Sequence, residues 1–568
     1  MSRNRTTLFA VSAALLAVAC GAPAGSGAQD RSQALGLGGP KRAVIVIRGE
    51  PFSLSRDMAS ASSTGSVTGA AEVSMLLSSS LATIVDGTTV GGLVLGEAAP
   101  TTENGLWKLS PDGQMETTWK LRQGAIWHDG APVTAEDFVF ATQIGQTKEV
   151  AAVRNAAYAS LSSIDTPDQY TMRLRWSQPF IEADSWFGGL EPQPKHLLAK
   201  ALADDPSTFA HSPLFTTQFI GTGPFKLREW IPGSHLVMEA FNGYFLGRPR
   251  LNEIEVKFAL DPNVIVANLL SGAADISFGR GVALEQALEV RERWRDGNVA
   301  FETRVPSWIV LYPQFLNPNP PLIANLQFRR ALMHTLDRQE MADTLYRGLV
   351  QVPHSIIGPS SPIYSAVESA IFRHEYDPRR AAQTLEGLGL SKRTDGFYYD
   401  AAGARIELPL RTTAGDPAQG SLMFSTADQW KRAGLDTDPD VLALQASQDR
   451  EYRANLPGFQ VVTANTEFRL SNLRRYTSAE ASLPENRYAG SNRGRYTSPE
   501  FDEIFAEYGV TIPQQQRTDL ARTIVRHLSE NLPDMPLAYN VRAVFISNRL
   551  LHVTEAELTT NGYLWDTK

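Results

Sequence analysis

The chain has 568 residues, too many for one compact core, so two or three lobes are expected. Hydrophobic residues make up 43% and charged residues 20%, an ordinary globular balance, and a formal net charge of −8 gives no overall basic surface for nucleic acid. The single cysteine, Cys20, excludes an intramolecular disulfide and a cysteine-based metal site.

Residues 1–20 carry Arg3 and Arg5, then an apolar stretch over residues 8–19 that is shorter than the about 20 residues a bilayer span needs. Small residues precede Cys20. This is signal-peptide anatomy. Residues 16–21 resemble a bacterial lipoprotein box, with Ala17 where leucine is usual, and imply a lipid on Cys20 that holds the protein at a membrane. Residues 21–40 are rich in Gly, Ala, Ser and Gln without apolar period, and read as a flexible tether.

The folded part opens with a β-branched run at residues 43–48, which predicts a strand buried on both faces. Residues 170–176 and 254–258 alternate with period two and predict strands buried on one face. Helix starts are marked by Thr134 with Asp137, Asp337 with Glu340, Asp377-Pro378 and Ser498-Pro499. The helix after Pro378 should stop at Gly389. Strands and helices alternate throughout, so the class is α/β.

Residues 117–141 contain His128-Asp129-Gly130, Pro132-Val133-Thr134-Ala135 and Asp137. Asp129-Gly130 predicts a tight turn and Thr134 a cap, so the segment reads as a structural clip between strand and helix. No nucleophile pattern accompanies His128. Gly221-Thr222-Gly223-Pro224-Phe225 lacks the glycine spacing of a phosphate loop, and Pro224 removes a donor. The nine histidines include no pair with helical metal-binding spacing. No nucleophile elbow, Walker loop or zincin helix occurs.

The clip, the Gly221–Phe225 turn, the Asn242-Gly243-Tyr244-Phe245 loop, the Phe328–Asp337 region, the Tyr376-Asp377-Pro378 helix start and the Gly490–Asp502 loop together resemble, in order, the family 5 extracellular solute-binding proteins, the peptide and nickel receptors of ABC importers. The resemblance spans roughly residues 42–568. It implies a bilobal periplasmic-binding-protein-like fold of type II, in the large three-subdomain variant, with a discontinuous first lobe. Lobe I is expected over residues 41–280 with an extra subdomain at about 60–205, lobe II over 281–538, and a return over 539–568. Hinge crossings are expected near residues 279–282 and 537–540. The implied function is capture of an oligopeptide or similar solute in the interlobe cleft and delivery to ABC permease subunits, by a monomeric exported lipoprotein without catalysis, metal or cofactor. The alternatives are a ligand sensor or chaperone on the same scaffold, or an envelope hydrolase using paired acids.

Peptide-binding members pair the ligand amine with an Asp in a Trp-x-x-Asp segment. The comparable stretch here, residues 459–469, has no such motif, and Glu467 is its nearby acid. Glu467, Asn465 and Arg469 are therefore candidate ligand contacts. Trp308 and Tyr312 lie just beyond the expected first crossing and can stack on a ligand from the cleft wall. Arg469, Arg474, Arg475, Arg487, Arg493 and Arg495 crowd one loop-rich stretch. They read as a carboxylate-binding cluster or as a solvated patch.

Overall fold

The computed structural model describes residues 41–59, 67, 69–85, 89–111, 113–150, 157–278, 281–303, 307–414, 416–443, 446, 449–554 and 561–568. The signal and tether readings, with Cys20, lie outside the described residues, as do Gly279 and Arg280. Among the described residues no helix is long and apolar enough to cross a membrane.

The chain begins with strand β1 (Arg42–Ile47), followed by helix α1 (Ala70–Leu77). A subdomain follows, with β2 (Gly96–Ala98), β3 (Met115–Leu121), helix α2 (Ala135–Gln146), β4 (Leu161–Asp168), β5 (Thr171–Trp176) and helix α3 (Ala183–Gly188). Then come β6 (Phe225–Ile231), β7 (His235–Ala240), β8 (Glu253–Phe258), helix α4 (Pro262–Leu270), β9 (Ile276–Ser277), helix α5 (Leu284–Arg293) and β10 (Gly297–Glu302). The second half contains β11 (Ser307–Pro313), helices α6 (Arg338–Leu345) and α7 (Pro378–Gly387), β12 (Glu407–Thr413), helix α8 (Pro417–Ala433), β13 (Asp436–Leu442) and β14 (Phe459–Asn465). Helices α9 (Pro499–Val510) and α10 (Gln514–Asn531), then β15 (Met535–Tyr539) and β16 (Arg542–Ser547), complete it.

Two sheets define two lobes. The first runs β10-β16-β9-β1-β8-β7-β6, and β1 lies in its middle, parallel to both β8 and β9. Its Val/Ile run has helices or loops on both sides, so Ile45, Val46 and Ile47 are all buried. Each contributes about 1.5–3 kcal/mol of burial. The second sheet runs β13-β12-β14-β11-β15. Its two faces pack separate cores, one around Leu408, Leu410, Trp430 and Phe459, the other around Trp308, Val310, Phe501 and Ile524. The subdomain has its own sheet, order β2-β3-β5-β4, and its own core around Trp119, Phe138 and Phe187.

The chain leaves the first sheet after Glu302 and enters the second at Ser307; it returns between Tyr539 and Arg542. The return overlaps the expected residues 537–540. The outward passage comes about twenty residues later than the expected 279–282. The reason is β10, which pairs antiparallel with β16 and so keeps α5 and itself in the first lobe.

The marked helix starts are capped. Asp137 accepts from the Thr134 amide at 2.8 Å, Asp337 from the Glu340 amide at 2.8 Å, Asp377 from the Arg380 amide at 3.0 Å and Ser498 from the Phe501 amide at 3.2 Å. Helix α7 ends at Gly387, and Gly389 just beyond has φ +84°, the left-handed conformation that ends helices.

Candidate functional site

The His128 clip is a joint between subdomain and first lobe. The His128 amide donates to Gly221 O at 3.0 Å, the Gly221 amide donates to His128 Nδ1 at 3.1 Å, and His128 Nε2 lies 3.1 Å from Gly223 O. Nδ1 accepting and Nε2 donating define a neutral imidazole. Burial holds its pKa down at about 4, only partly opposed by the Gly223 carbonyl. Asp129 is spent on His196, 2.8 Å away, and on the Ala131 amide at 3.1 Å. Gly130 has φ +92° in the turn between them. Asp137 Oδ2 also lies 3.4 Å from Trp127 Nε1, and Asp137 Oδ1 takes the Lys195 amide at 3.2 Å. Gly221 and Gly223 let the turn lie against the end of α1: a Cβ on Gly221 would sit 2.0 Å from Leu77 O, and one on Gly223 2.4 Å from the Leu77 carbonyl carbon. Pro224 O accepts from the Phe241 amide at 2.9 Å. His128 thus serves the joint, while Asp129, Thr134 and Asp137 fix the turn and the helix start within the subdomain.

Between the lobes lies a cavity of about 230 Å³. Arg48 at the end of β1, Pro262 at the start of α4 and Val282–Gln286 at the start of α5 form one wall. Leu345 and Tyr346 at the end of α6, with Asp416, Pro417, Ala418 and Ser421 at the start of α8, form the other, and Asn540–Ala543 of the return crossing close the floor. Three helix N-termini therefore face one space, a region of positive partial charge. Asp416 caps α8 through the Ala418 amide at 3.2 Å and accepts from Thr463 Oγ1 at 3.1 Å, which ties the cavity to β14. The Arg542 guanidinium is neutralised by Glu72 at 3.0 Å and by Glu302. Tyr346 is 4% exposed, and its hydroxyl has no hydrogen-bond partner among the described residues. Such an orphaned group in a cavity wall is a natural contact for a guest. Composition gave no signal for Arg48, Tyr346 or Asp416 as cavity residues. Only the meeting of strand and helix ends from both lobes brings them together.

Asn465, Glu467 and Arg469 do cluster, at the end of β14. Asn465 Oδ1 accepts from the Glu467 amide at 2.7 Å, and Glu467 pairs with Arg469 at 3.5 Å. Facing them is Glu182 of the subdomain, 6% exposed, which accepts the Leu470 amide. Burial pushes the Glu182 carboxyl up to about 7, against the pull of the Leu470 amide and Arg469. Trp308 lies next to this cluster in the sheet, opposite Ala464 and Tyr539, but is 3% exposed in the second-lobe core. Tyr312 packs against the same core. The arginine stretch is mostly structural, with Arg474 on Glu480 at 2.6 Å, Arg475 on Asp534 at 3.2 Å and Arg495 on Gln314 at 3.0 Å. Among the described residues no group of three or more His, Asp or Glu side chains forms a set that could hold a metal ion.

The family model of bacterial extracellular solute-binding proteins, family 5, matches residues 102–480, well over half the chain. The chain belongs to this family. Among relatives of this family-5 protein, an ABC transporter peptide-binding protein of Brucella ovis is 28% identical over 294 residues, 50% of this chain and 51% of that one. The chain thus spans about half the length of the first curated relatives it matches. Two solved structures share the fold. The oligopeptide-binding protein AppA of Bacillus subtilis, in complex with a nonapeptide, is 20% identical with a TM-score of 0.69, covering 93% of this chain and 100% of that chain. NikZ of Campylobacter jejuni, in complex with Ni(L-His), is 18% identical with a TM-score of 0.74, covering 93% and 99%. The family-5 chain is accordingly α/β and bilobal, of the type II binding-protein fold, with a first lobe completed by the returning β16.

Proposed function

We propose that the protein is an extracytoplasmic receptor that captures an oligopeptide or similar solute between its lobes and delivers it to the permease subunits of an ABC importer. The observation that carries this reading is the cavity with walls from both lobes and a floor made by the return crossing. A guest there touches both halves at once and stabilises the arrangement that brings them together. Arg48 on one wall and Asp416 on the other suit a solute bearing both signs of charge, as a peptide does. Thr463, bonded to Asp416 at 3.1 Å, lies two residues before Asn465 on β14, which supports Asn465, Glu467 and Arg469 as further ligand contacts in this reading. The nonapeptide held by AppA and the Ni(L-His) held by NikZ support small peptide-like ligands. Capture and release need no chemical step, so no enzymatic activity is part of the reading.

The test is a thermal-shift screen of the purified chain against peptides, sugars and metal chelates. A true ligand at about 100-fold its Kd adds about 2.7 kcal/mol of stability. Peptides are expected to raise the Tm saturably; a shift confined to sugars or chelates overturns the peptide assignment. Cys20 is proposed to carry the lipid that tethers the receptor. Cys20→Ser is expected to move the protein from the membrane fraction to the soluble one, and unchanged retention removes the anchor.

A further inference from the structure

On one wall of the cleft cavity stands the Arg48 guanidinium, which among the described residues makes no hydrogen bond and no ion pair. On the other stands Tyr346, buried, its hydroxyl also without a partner among the described residues. Burial, with Asp416 and Glu285 adding to it, holds the Tyr346 pKa well above the usual tyrosine value. The hydroxyl therefore keeps its proton and has it to donate.

The other charged and amide groups of the lining are engaged or solvated. Arg542 is taken up by Glu72 and Glu302. Asp416 accepts from the Ala418 amide at 3.2 Å, from Gln419 Nε2 at 3.3 Å and from Thr463 Oγ1 at 3.1 Å, so its oxygens are occupied from within the second lobe. Gln286 Nε2 donates to Asn263 Oδ1 at 3.0 Å, and Asn540 Nδ2 to Ser307 Oγ at 2.9 Å. Glu285 is exposed at the rim. What the wall lacks is an acceptor for Arg48 and Tyr346, and the N-termini of α4, α5 and α8 add positive partial charge around the same space.

Size narrows the guest. A pocket that encloses a whole drug-sized ligand measures about 300–1,000 Å³. This cavity, at about 230 Å³, takes one end of a longer molecule. The end that brings a paired acceptor for a guanidinium fork and a hydroxyl is a carboxylate.

We infer that the cavity takes the carboxyl terminus of a peptide, with Arg48 and Tyr346 donating to the terminal carboxylate from opposite walls. This rests on the receptor reading above and orients the guest within it: carboxyl end at the crossings, the rest of the chain toward the rim.

The probes are two pools of random pentapeptides made without Asp or Glu, identical except that one ends in free carboxylates and the other in carboxamides. Each is titrated into the full chain while Tm is followed. The free-acid pool is expected to bind about tenfold more tightly, as charge-assisted hydrogen bonds to the terminus require. Tyr346→Phe and Arg48→Gln should each bring that ratio near one, and Arg48→Lys should keep part of it. Tyr346→Phe should not lower the Tm of the unliganded chain, because the hydroxyl it removes has no partner there. Circular dichroism checks the fold of each variant; should Arg48→Gln unfold, the ratio in Tyr346→Phe decides alone. Equal affinity of the wild type for both pools, or a ratio retained in Tyr346→Phe, overturns the inference and leaves the receptor reading standing. A wild type that binds neither pool overturns both.

Discussion

At the scale of single residues, the clip shows what a motif encodes. His128 beside Asp129 has the look of acid–base chemistry, yet its imidazole is neutral, buried and bonded to Gly221 and Gly223 through both ring nitrogens. The turn and the cap were legible from residue types and spacing. The partner of His128 was not, because Gly221 lies 93 positions away in the chain. The pH consequence follows from the depressed pKa. A histidine whose folded pKa falls from 6.5 to about 4 favours the fold above pH 6.5, and that support is lost as pH falls toward 4. At pH 5 the loss from this one group is about 2 kcal/mol. Urea unfolding of the wild type at pH 7 and pH 5 should show that decline, and His128→Gln should flatten it while lowering stability at pH 7. A variant that keeps the full pH slope removes His128 from this role.

At the scale of elements, helix boundaries were the most legible feature, since a cap is a local event written in two or three residues. Strand β1 was legible too, because a strand covered on both faces carries a continuous apolar run. The outward passage between the lobes was not. A helix followed by a strand can return to its own sheet or move to the next, and α5 with β10 return; only the long-range pairing with β16 decides it. Trp308 illustrates the same limit, since alternation marks two faces of a strand without saying that α9 and α10 cover one of them. The contact between the subdomain and the second lobe was also hidden. Here the Ile181 amide donates to Gly509 O at 3.2 Å, Ile181 enters the second-lobe core, and Glu182 takes the Leu470 amide. Facing Glu182 are Arg469, Glu467, Asp184 and Tyr508, and Arg517 faces Asp184. A carboxyl raised from 4.5 to about 7 favours the joined state fully below pH 4.5 and loses that support as pH rises through 7. Ligand affinity is therefore expected to fall between pH 5 and pH 7.5, and Glu182→Gln should hold it near the low-pH value throughout. An unchanged pH profile in that variant shows the contact to be indifferent to closure.

At the scale of the whole molecule, two strand-to-strand passages join the sheets, and the cavity sits against one of them. Small rotations there become large displacements at the cavity rim, because each lobe moves as a packed body around its own core. Helices α4 and α8 begin at opposite walls of the cavity and carry Val264 and Phe424, both about half exposed. Since Cys20 is the only native cysteine, Cys20→Ser with Val264→Cys and Phe424→Cys gives a chain that takes two spin labels and no third. A saturating ligand should shorten and narrow the label-to-label distance distribution, because it binds the joined arrangement more tightly than the separated one. A pair labelled within the second lobe alone, at Phe424 and Tyr452, should stay fixed under the same addition. Distances that change equally in both pairs would mean that the lobe itself deforms, and an unchanged first pair would mean that the guest does not act on the crossings at all. Only a change confined to the pair that spans the cavity is what two rigid halves on a hinge can produce.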